Sequence, residues 1–363
     1  MGGVGFIEPR QMSAFRELCE GQPRNFFQDP RTLVITDPLT AREALAFRPA
    51  IFRTRALMGE ETEELRRERA IFREFTDSLT ARSHLYHDSA ISGLNKYHAI
   101  KALVIASFET YGPAIFGQRY RELKPRGIPF LLSRINDHYL RNTRGHRGRV
   151  TRAFELKIAE YIKGPLAEDS FAYKITREDP PKSQERIQRL LRDILMGCCV
   201  PPAVAGAWVI FEGRQGGMLD NFSSLKDVPL RHLALELLRM RPPAWNQSRI
   251  VTTPGIISGF KLSPGMEVLI PVGYIQTSSR DWNDPLSFHP TRWNTDSFKT
   301  PAYMPFSVGR RACIAAQLGI SQLEELISLF GNQKKIYRLP ASRYRLGPLY
   351  GPPNIIARPS NNP

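Results

Sequence analysis

Residues 306–315 read FSVGRRACIA and run directly into AAQLGISQLEELISLF, residues 315–330. The first stretch has the composition of a loop, with a glycine and two arginines ahead of a single cysteine, Cys313. The second has the apolar spacing of a helix. A thiolate at Cys313 would lie near a helix N-terminus, where backbone N–H groups and the macrodipole stabilise negative charge. Arg310 and Arg311 add cationic character. Phe306 and Gly309 suit a tight loop whose backbone a flat ligand can approach. The competing reading of Cys313 is a buried structural thiol, because free cysteine is among the most buried residue types.

Two segments upstream bear on that choice. Residues 232–243, HLALELLRMRPP, place Glu236 and Arg239 at i, i+3 on one helical face. Residues 284–293, DPLSFHPTRW, supply a second arginine, Arg292. A guanidinium forking onto the Glu236 carboxylate makes a charge-assisted cluster. Taken singly, an E-x-x-R pair reads as a solvated ion pair on a helix surface. Taken in order, E-x-x-R, the Arg292 segment and F-x-x-G-x-R-x-C resemble the cytochrome P450 family, from about Leu225 to Leu329.

That resemblance implies a mainly α fold with small β-sheets, the cytochrome P450 fold, with residues 1–363 forming a single haem-thiolate domain. It implies haem b (iron protoporphyrin IX) as cofactor, with Cys313 as catalytic residue and axial iron ligand. The thiolate there pushes electron density that favours O–O cleavage. Phe306 and Gly309 shape the loop that meets the cofactor. Arg311 and Arg249 match positions that contact haem propionates. Tyr97 and Lys101, at i, i+4 in NKYHAIKALVIASFET (residues 95–110), take the family's ring and cation positions, where His or Trp and then Arg are usual. A Lys meets a propionate as a point charge rather than a fork; an ordinary snorkelling Lys is the alternative. Glu236, Arg239 and Arg292 are structural and set the Cys loop.

The long central helix departs most from the family. QERIQRLLRDILMGCC (residues 184–199) continues beyond Pro201 and Pro202 as AVAGAWVIFE. Gly197 fits the family's glycine. Cys199 and Val200 stand where relatives carry an acid–alcohol pair that delivers protons. A proline inside a helix removes a hydrogen bond and kinks it at about 3 kcal/mol, so an opened groove is expected. Substrate or ordered water then supplies protons, or the chemistry is not ordinary monooxygenation. The stretch from Thr110 to this helix is shorter than in most relatives, where the substrate-covering helices lie.

The bulk properties are those of a globular chain: 363 residues, 42% hydrophobic and 24% charged. The four cysteines, at 19, 198, 199 and 313, form no metal-type C-x-x-C; a reducing cytoplasm without disulfides is expected. The N-terminus lacks a secretory apolar region, and no apolar run approaches the ~18–20 residues that span a bilayer. A soluble, bacterial type with no membrane association is expected. The net charge is +16, with basic clusters at 116–126, 134–152 and 177–192. That charge suits an acidic electron-transfer partner, an acidic substrate or carrier, nucleic acid, or simply a solvated surface. No helix-turn-helix, zinc or RNA-binding motif is present, so nucleic acid is not expected as a partner.

Other segments read as follows. RTLVIT (31–36) is a strand, and DPLTAREALAF (37–47) a helix capped by Asp37. EETEELRRERAIFREF (60–75) is a solvated surface helix with internal i, i+4 pairs. SFAYKI (170–175) is a strand. Residues 249–275 are two hairpins, and 337–363 terminal strands and loops. The expected activity is oxidation of an organic substrate by O₂ with electrons from a ferredoxin-type donor, as a secondary-metabolite tailoring step on a small, bulky or peptide-like molecule. Alternatives are an isomerase, dehydrase or peroxide-using haem-thiolate enzyme, and an inactive recruitment scaffold.

Overall fold

The computed structural model describes residues 10–46, 52–54, 63–81, 90, 94, 97–123, 144–177, 182–212, 227–295, 299–309, 312–331, 345–346 and 350–351. Contacts divide the chain into two compact units. One comprises Met1–Ile71 with Ser224–Ala316, the other Phe72–Ser223 with Gln317–Pro363.

The first unit is built on a five-stranded sheet. After helix α1 (Arg10–Glu20) come strands β1 (Asn25–Asp29) and β2 (Thr32–Ile35), helix α2 (Pro38–Ala46) and strand β3 (Phe52–Thr54). Asp37 caps α2 as expected: its Oδ2 accepts from the Thr40 N–H at 2.8 Å. Helix α3 (Glu63–Thr80) begins in this unit. In chain order there follow α4 (Ala99–Phe116), α5 (Arg144–Tyr161), α6 (Phe171–Thr176) and α7 (Gln184–Glu212), all of the second unit. The chain then returns to the first unit with α8 (Leu230–Met240), β4 (Gln247–Val251), β5 (Gly255–Ile257), β6 (Phe260–Leu262), β7 (Glu267–Ile270) and α9 (Val272–Ile275).

The sheet order is β1-β2-β7-β4-β3. β2 pairs parallel with β7, Leu33 against Val268, and the remaining pairs are antiparallel. Leu33, Val34, Ile35, Val268 and Ile270 bury one continuous core with Trp282, Trp293 and Met304. The two expected hairpins are nested instead: β5–β6 is a hairpin set inside the longer β4–β7 pair. Gly265, in the turn before β7, has a positive φ and donates to the Val251 carbonyl, which closes the outer pair.

The second unit is helical. Helices α4 and α7 carry apolar residues around most of their circumference, so they pack into a core rather than lining its edge. α6 corrects the expected strand at 170–175. Ser170 caps it, its side chain accepting from the Tyr173 N–H at 3.2 Å, and local capping outweighs the aromatic and β-branched residues. Pro201 and Pro202 do not break α7 either, which runs unbroken from Gln184 to Glu212. Burial of Val200, Ala203, Val204 and Ala207 on both sides of the prolines offsets the lost N–H groups.

Two stretches, Ala99–Phe116 and Gln184–Phe211, are long and apolar enough to cross a membrane, and most of each is buried within the protein. This corrects the expectation that no segment reaches that length: isolated charges such as Lys101 interrupt the apolar runs without lowering the average much. Helix α10 (Ala316–Gly331) and strands β8 (Arg345–Leu346) and β9 (Tyr350–Gly351) end the described chain. The short β8–β9 pair agrees with terminal strands in the tail.

Candidate functional site: the Cys313 loop and its ion cluster

Glu236 lies on α8 and is fully buried. Its two oxygens take five donors. Oε1 accepts from Arg239 Nη2 at 2.9 Å, Arg292 Nε at 3.0 Å and the His289 N–H at 3.0 Å. Oε2 accepts from Arg239 Nε at 3.0 Å and Trp293 Nε1 at 3.0 Å. The guanidinium of Arg239 continues outward to the carbonyls of Gln276, Pro285 and Ser287. Arg292 donates to Asn283 and Asp284 carbonyls. Both arginines lie near the Trp282 ring, 5.2 and 5.8 Å from its centroid. The expected cluster is therefore present, and it ties α8 to the irregular segment 276–293.

The cluster reaches the Cys loop through a residue that the sequence did not flag. Gln276 is buried, and its Nε2 donates to the carbonyls of Leu238 and Arg239. Its Oε1 accepts from the Met304 N–H at 2.8 Å. A Gln amide can do both at once, which a carboxylate or ammonium cannot. Met304 then begins the loop: Ser307 N–H donates to the Met304 carbonyl, and Cys313 N–H closes the loop on the Phe306 carbonyl at 2.8 Å. Ser307 and Gly309 both have positive φ. Phe306 is half-buried.

Gly309 is held for two reasons. Its φ is 71°, and a Cβ built there would come within 2.3 Å of the Ala46 Cα and 2.5 Å of the Ala46 carbonyl. The loop thus rests on the backbone at the end of α2. Gly309→Ala should cost about 1–3 kcal/mol through backbone strain and overpacking. A thermal melt checks this; an unchanged midpoint would contradict the close approach.

Cys313 itself is exposed, whereas Cys19, Cys198 and Cys199 are buried. Burial pushes the Cys19 thiol up to about 12 and holds Cys199 well above its ordinary value. Cys313 is also raised by the protein around it, but an Ala315 N–H hydrogen bond and the charge of Arg69 pull it down. Its side chain is exposed, one turn ahead of α10. Arg69 is the second residue that sequence reasoning missed. Its Nη2 donates to the Ala312 carbonyl at 2.7 Å, next to the cysteine. This corrects the reading of residues 60–75 as only a solvated surface helix: α3 sends one of its many charges inward, and nothing in the charge pattern distinguishes it.

The remaining expected site residues divide as follows. Arg249 is buried in β4, opposite Thr54 and Val268, with Nη1 on the Ser248 carbonyl. Tyr97 and Lys101 are brought together, the Lys101 ammonium 4.1 Å from the Tyr97 ring centroid, and both belong to the second unit. Arg310 and Arg311 lie outside the described residues. On α7, Cys199 and Val200 are fully buried and Gly197 is exposed.

The segment that holds this arrangement resembles known proteins. The family model "Cytochrome P450" matches residues 220–330, the span that holds the ion cluster, the loop and most of α10. Lanosterol 14-alpha demethylase of Rattus norvegicus is 32% identical over 111 residues, 30% of this chain and 22% of that protein. The enzyme of the same name from Candida tropicalis is 26% identical over 210 residues, 45% of this chain and 40% of that protein. Among solved structures, a mutant of P450 EryK in complex with erythromycin B has a TM-score of 0.77 at 12% identity, covering 97% of both chains. A zebra fish cytochrome P450 structure with abiraterone has 0.75 at 14%, covering 97% of this chain and 100% of that one.

Residues 220–330 match the cytochrome P450 family model, and the chain has the fold of the solved cytochromes P450. The chain spans about a fifth of the length of the first curated relatives it matches. Cytochromes P450 bind haem b, and the residues around Cys313 fit that group. Its thiol is the exposed one of four, a backbone N–H and a guanidinium partly offset the burial that raises it, and the chain is tight and turned at Ser307 and Gly309, where a flat ring must approach. Among the described residues no three His, Cys, Asp or Glu side chains gather as a metal site. A macrocycle that brings four nitrogens of its own asks the protein for one axial donor.

Proposed function

We propose that this protein is a haem-thiolate oxidoreductase of the monooxygenase type, with Cys313 as axial ligand of haem b. The observation that carries the reading is the exposed Cys313 thiol on a loop closed by its own N–H and braced through Gln276 by the Glu236 cluster. Bound haem supplies oxygen activation and electron transfer at iron. The chain holds the sulfur, directs the Ala315 N–H and the Arg69 cation toward it, and keeps the loop against α2. Arg249 and Arg311, with Lys101 and Tyr97, are proposed to hold the propionates. The test is reconstitution with haem and reduction under CO. A strongly red-shifted Soret band is expected; a band at the position of a nitrogen-ligated haem would overturn the reading.

The substrate is proposed to be a small, bulky or peptide-like organic molecule modified in secondary metabolism, in the cytoplasm. Of the similar proteins above, one is named for lanosterol and two were solved with erythromycin B or abiraterone, and large apolar ligands are consistent with the apolar α4 and α7. A second reading, non-oxygenating or peroxide-using haem-thiolate chemistry, is favoured by one observation. Cys199 and Val200 are buried and apolar in place of an acid–alcohol pair.

Electrons are proposed to come from an acidic, ferredoxin-type protein that docks on the basic surface. Arg149, Arg152 and Lys157 are exposed on α5, and the whole chain carries +16. Reduction by a ferredoxin should slow steeply as salt rises, because the Debye length shrinks from ~10 Å at 0.1 M to ~3 Å at 1 M. Stopped-flow reduction across that range reads this directly. A salt-independent rate would remove the basic surface from electron delivery.

A further inference from the structure

Helix α1 lies outside the matched span 220–330, yet it holds the turn that carries the Gln276 brace. Gln276 and Thr277 directly follow α9. Their carbonyls are taken by two guanidiniums from different elements. The Gln276 carbonyl accepts from Arg239 Nη1 of α8 at 2.9 Å, and the Thr277 carbonyl from Arg16 Nη1 of α1 at 2.8 Å. Arg16 takes a second hold, with Nη2 donating to Thr277 Oγ1 at 2.8 Å. That hydroxyl donates in turn to the Gly273 carbonyl at 2.6 Å, so it accepts and donates at once. One guanidinium thus forks onto the backbone and the side chain of a single residue.

The fork is nearly withdrawn from solvent. The Arg16 side chain is 11% exposed, Thr277 is buried, and the guanidinium lies 5.7 Å from the Tyr274 ring centroid. An exposed arginine pair would hold little, but here the bonds are charge-assisted and their loss leaves the Thr277 carbonyl unpaired. The segment also holds α1 in return. Arg280 Nη2 donates to the carbonyls of Glu20 and Gln22 at 2.8 and 2.9 Å, at the end of α1 where a helix leaves carbonyls without partners. Arg24 Nη1 reaches Asp281 Oδ1 at 2.7 Å, and Phe15 packs edge-on against Trp245. All of these residues, and Met304, belong to the first compact unit.

We propose that α1 is a positioning element of the Cys313 loop, with Arg16 as its positioning residue acting through Thr277 and Gln276 on Met304. The route is short. Arg16 fixes Thr277, one peptide separates Thr277 from Gln276, and Gln276 Oε1 accepts from the Met304 N–H at 2.8 Å. Without the fork the turn after α9 keeps Arg239 on one side only, and Gln276 Oε1 samples positions away from Met304. The consequence for the sulfur rests on the haem-thiolate reading; the coupling between α1 and Met304 does not.

Residue-resolved hydrogen exchange of the full chain tests the coupling. Arg16→Met keeps the apolar stem and removes the fork. The Met304 amide should then exchange about tenfold faster, while the amides of β2 and β7 in the same unit keep their wild-type rates. Thr277→Val should give a smaller acceleration, and Thr277→Ser, which keeps the hydroxyl, none. In haem-loaded protein the red-shifted band of the reduced CO complex should decay faster in Arg16→Met and persist as in wild type in Thr277→Ser. A Met304 amide that exchanges at the wild-type rate in both Arg16→Met and Thr277→Val overturns the proposal. So does an acceleration shared equally by β2 and β7, which would mark a general loss of stability, and so does a CO band as persistent in Arg16→Met as in wild type. If Arg16→Met does not fold, Thr277→Val against Thr277→Ser decides at the same amide. Failure of the haem-thiolate reading would show separately, as a wild-type CO complex without the red-shifted band, with the exchange comparison standing.

Discussion

Glu236→Ala should give little soluble, haem-loaded protein. The substitution leaves Arg239 fully buried and Arg292 nearly so, facing each other without the carboxylate that accepts from both. It also strands the His289 N–H and the Trp293 indole N–H. Breaking a buried pair by removing one partner typically costs ~3–5 kcal/mol, a large fraction of the ~5–15 kcal/mol that holds a domain folded. The loss should spread along a defined route: Arg239 releases Gln276, and Gln276 releases Met304 and the loop that follows. Glu236→Gln separates charge from shape. Its amide keeps one acceptor oxygen but turns the other site into a donor that faces Arg239 Nε or Trp293 Nε1, so it should be destabilised less than Glu236→Ala yet remain well below wild type. Denaturant unfolding with haem absorbance followed in parallel measures both. A well-folded, haem-loaded Glu236→Ala protein with only a slower turnover would contradict a structural role.

Much of this arrangement was legible because chemistry fixed it to few residues. A Glu and an Arg at i, i+3 with a second Arg downstream has an obvious electrostatic solution, and the structure adopts it. The glycine before the cysteine marked a turn, and both a positive φ and the Ala46 contact require one. Less legible were residues whose role depends on what folds against them. Gln276 looks like any glutamine after a strand, and its three hydrogen bonds exist only once α8 and the Cys loop converge. Arg69 is one of many charges in α3, and only the register of that helix turns it toward Ala312. The α6 segment was misread because aromatic and β-branched content suggested a strand, while one serine cap was enough to start a helix. The α7 prolines were weighed by their local cost alone; the surrounding burial, which a sequence does not display, holds the helix through them.

Cys313→Ala should fold nearly as well as wild type and yet lose the thiolate signature entirely. The loop does not depend on the sulfur: its closure runs from the Cys313 N–H to the Phe306 carbonyl, and its braces are Gln276 on Met304, Arg69 on Ala312 and the Ala46 contact at Gly309. An alanine keeps all of these. What disappears is the one exposed thiol. The other cysteines offer no substitute, since Cys19, Cys198 and Cys199 are buried and burial disfavours the thiolate. The reduced CO complex of the mutant, if any haem is retained, should lack the red-shifted Soret band, while the thermal midpoint of the apoprotein moves little. Cys313→Ser serves as a second variant, placing a weak oxygen donor on the same atom path and giving a spectrum unlike either parent or alanine mutant. A Cys313→Ala protein with an unchanged thiolate band would show that another sulfur binds the iron and would end the assignment. A mutant that loses both haem and fold would instead place Cys313 in the core of the loop, against its exposure and against the backbone bonds that close the turn without it.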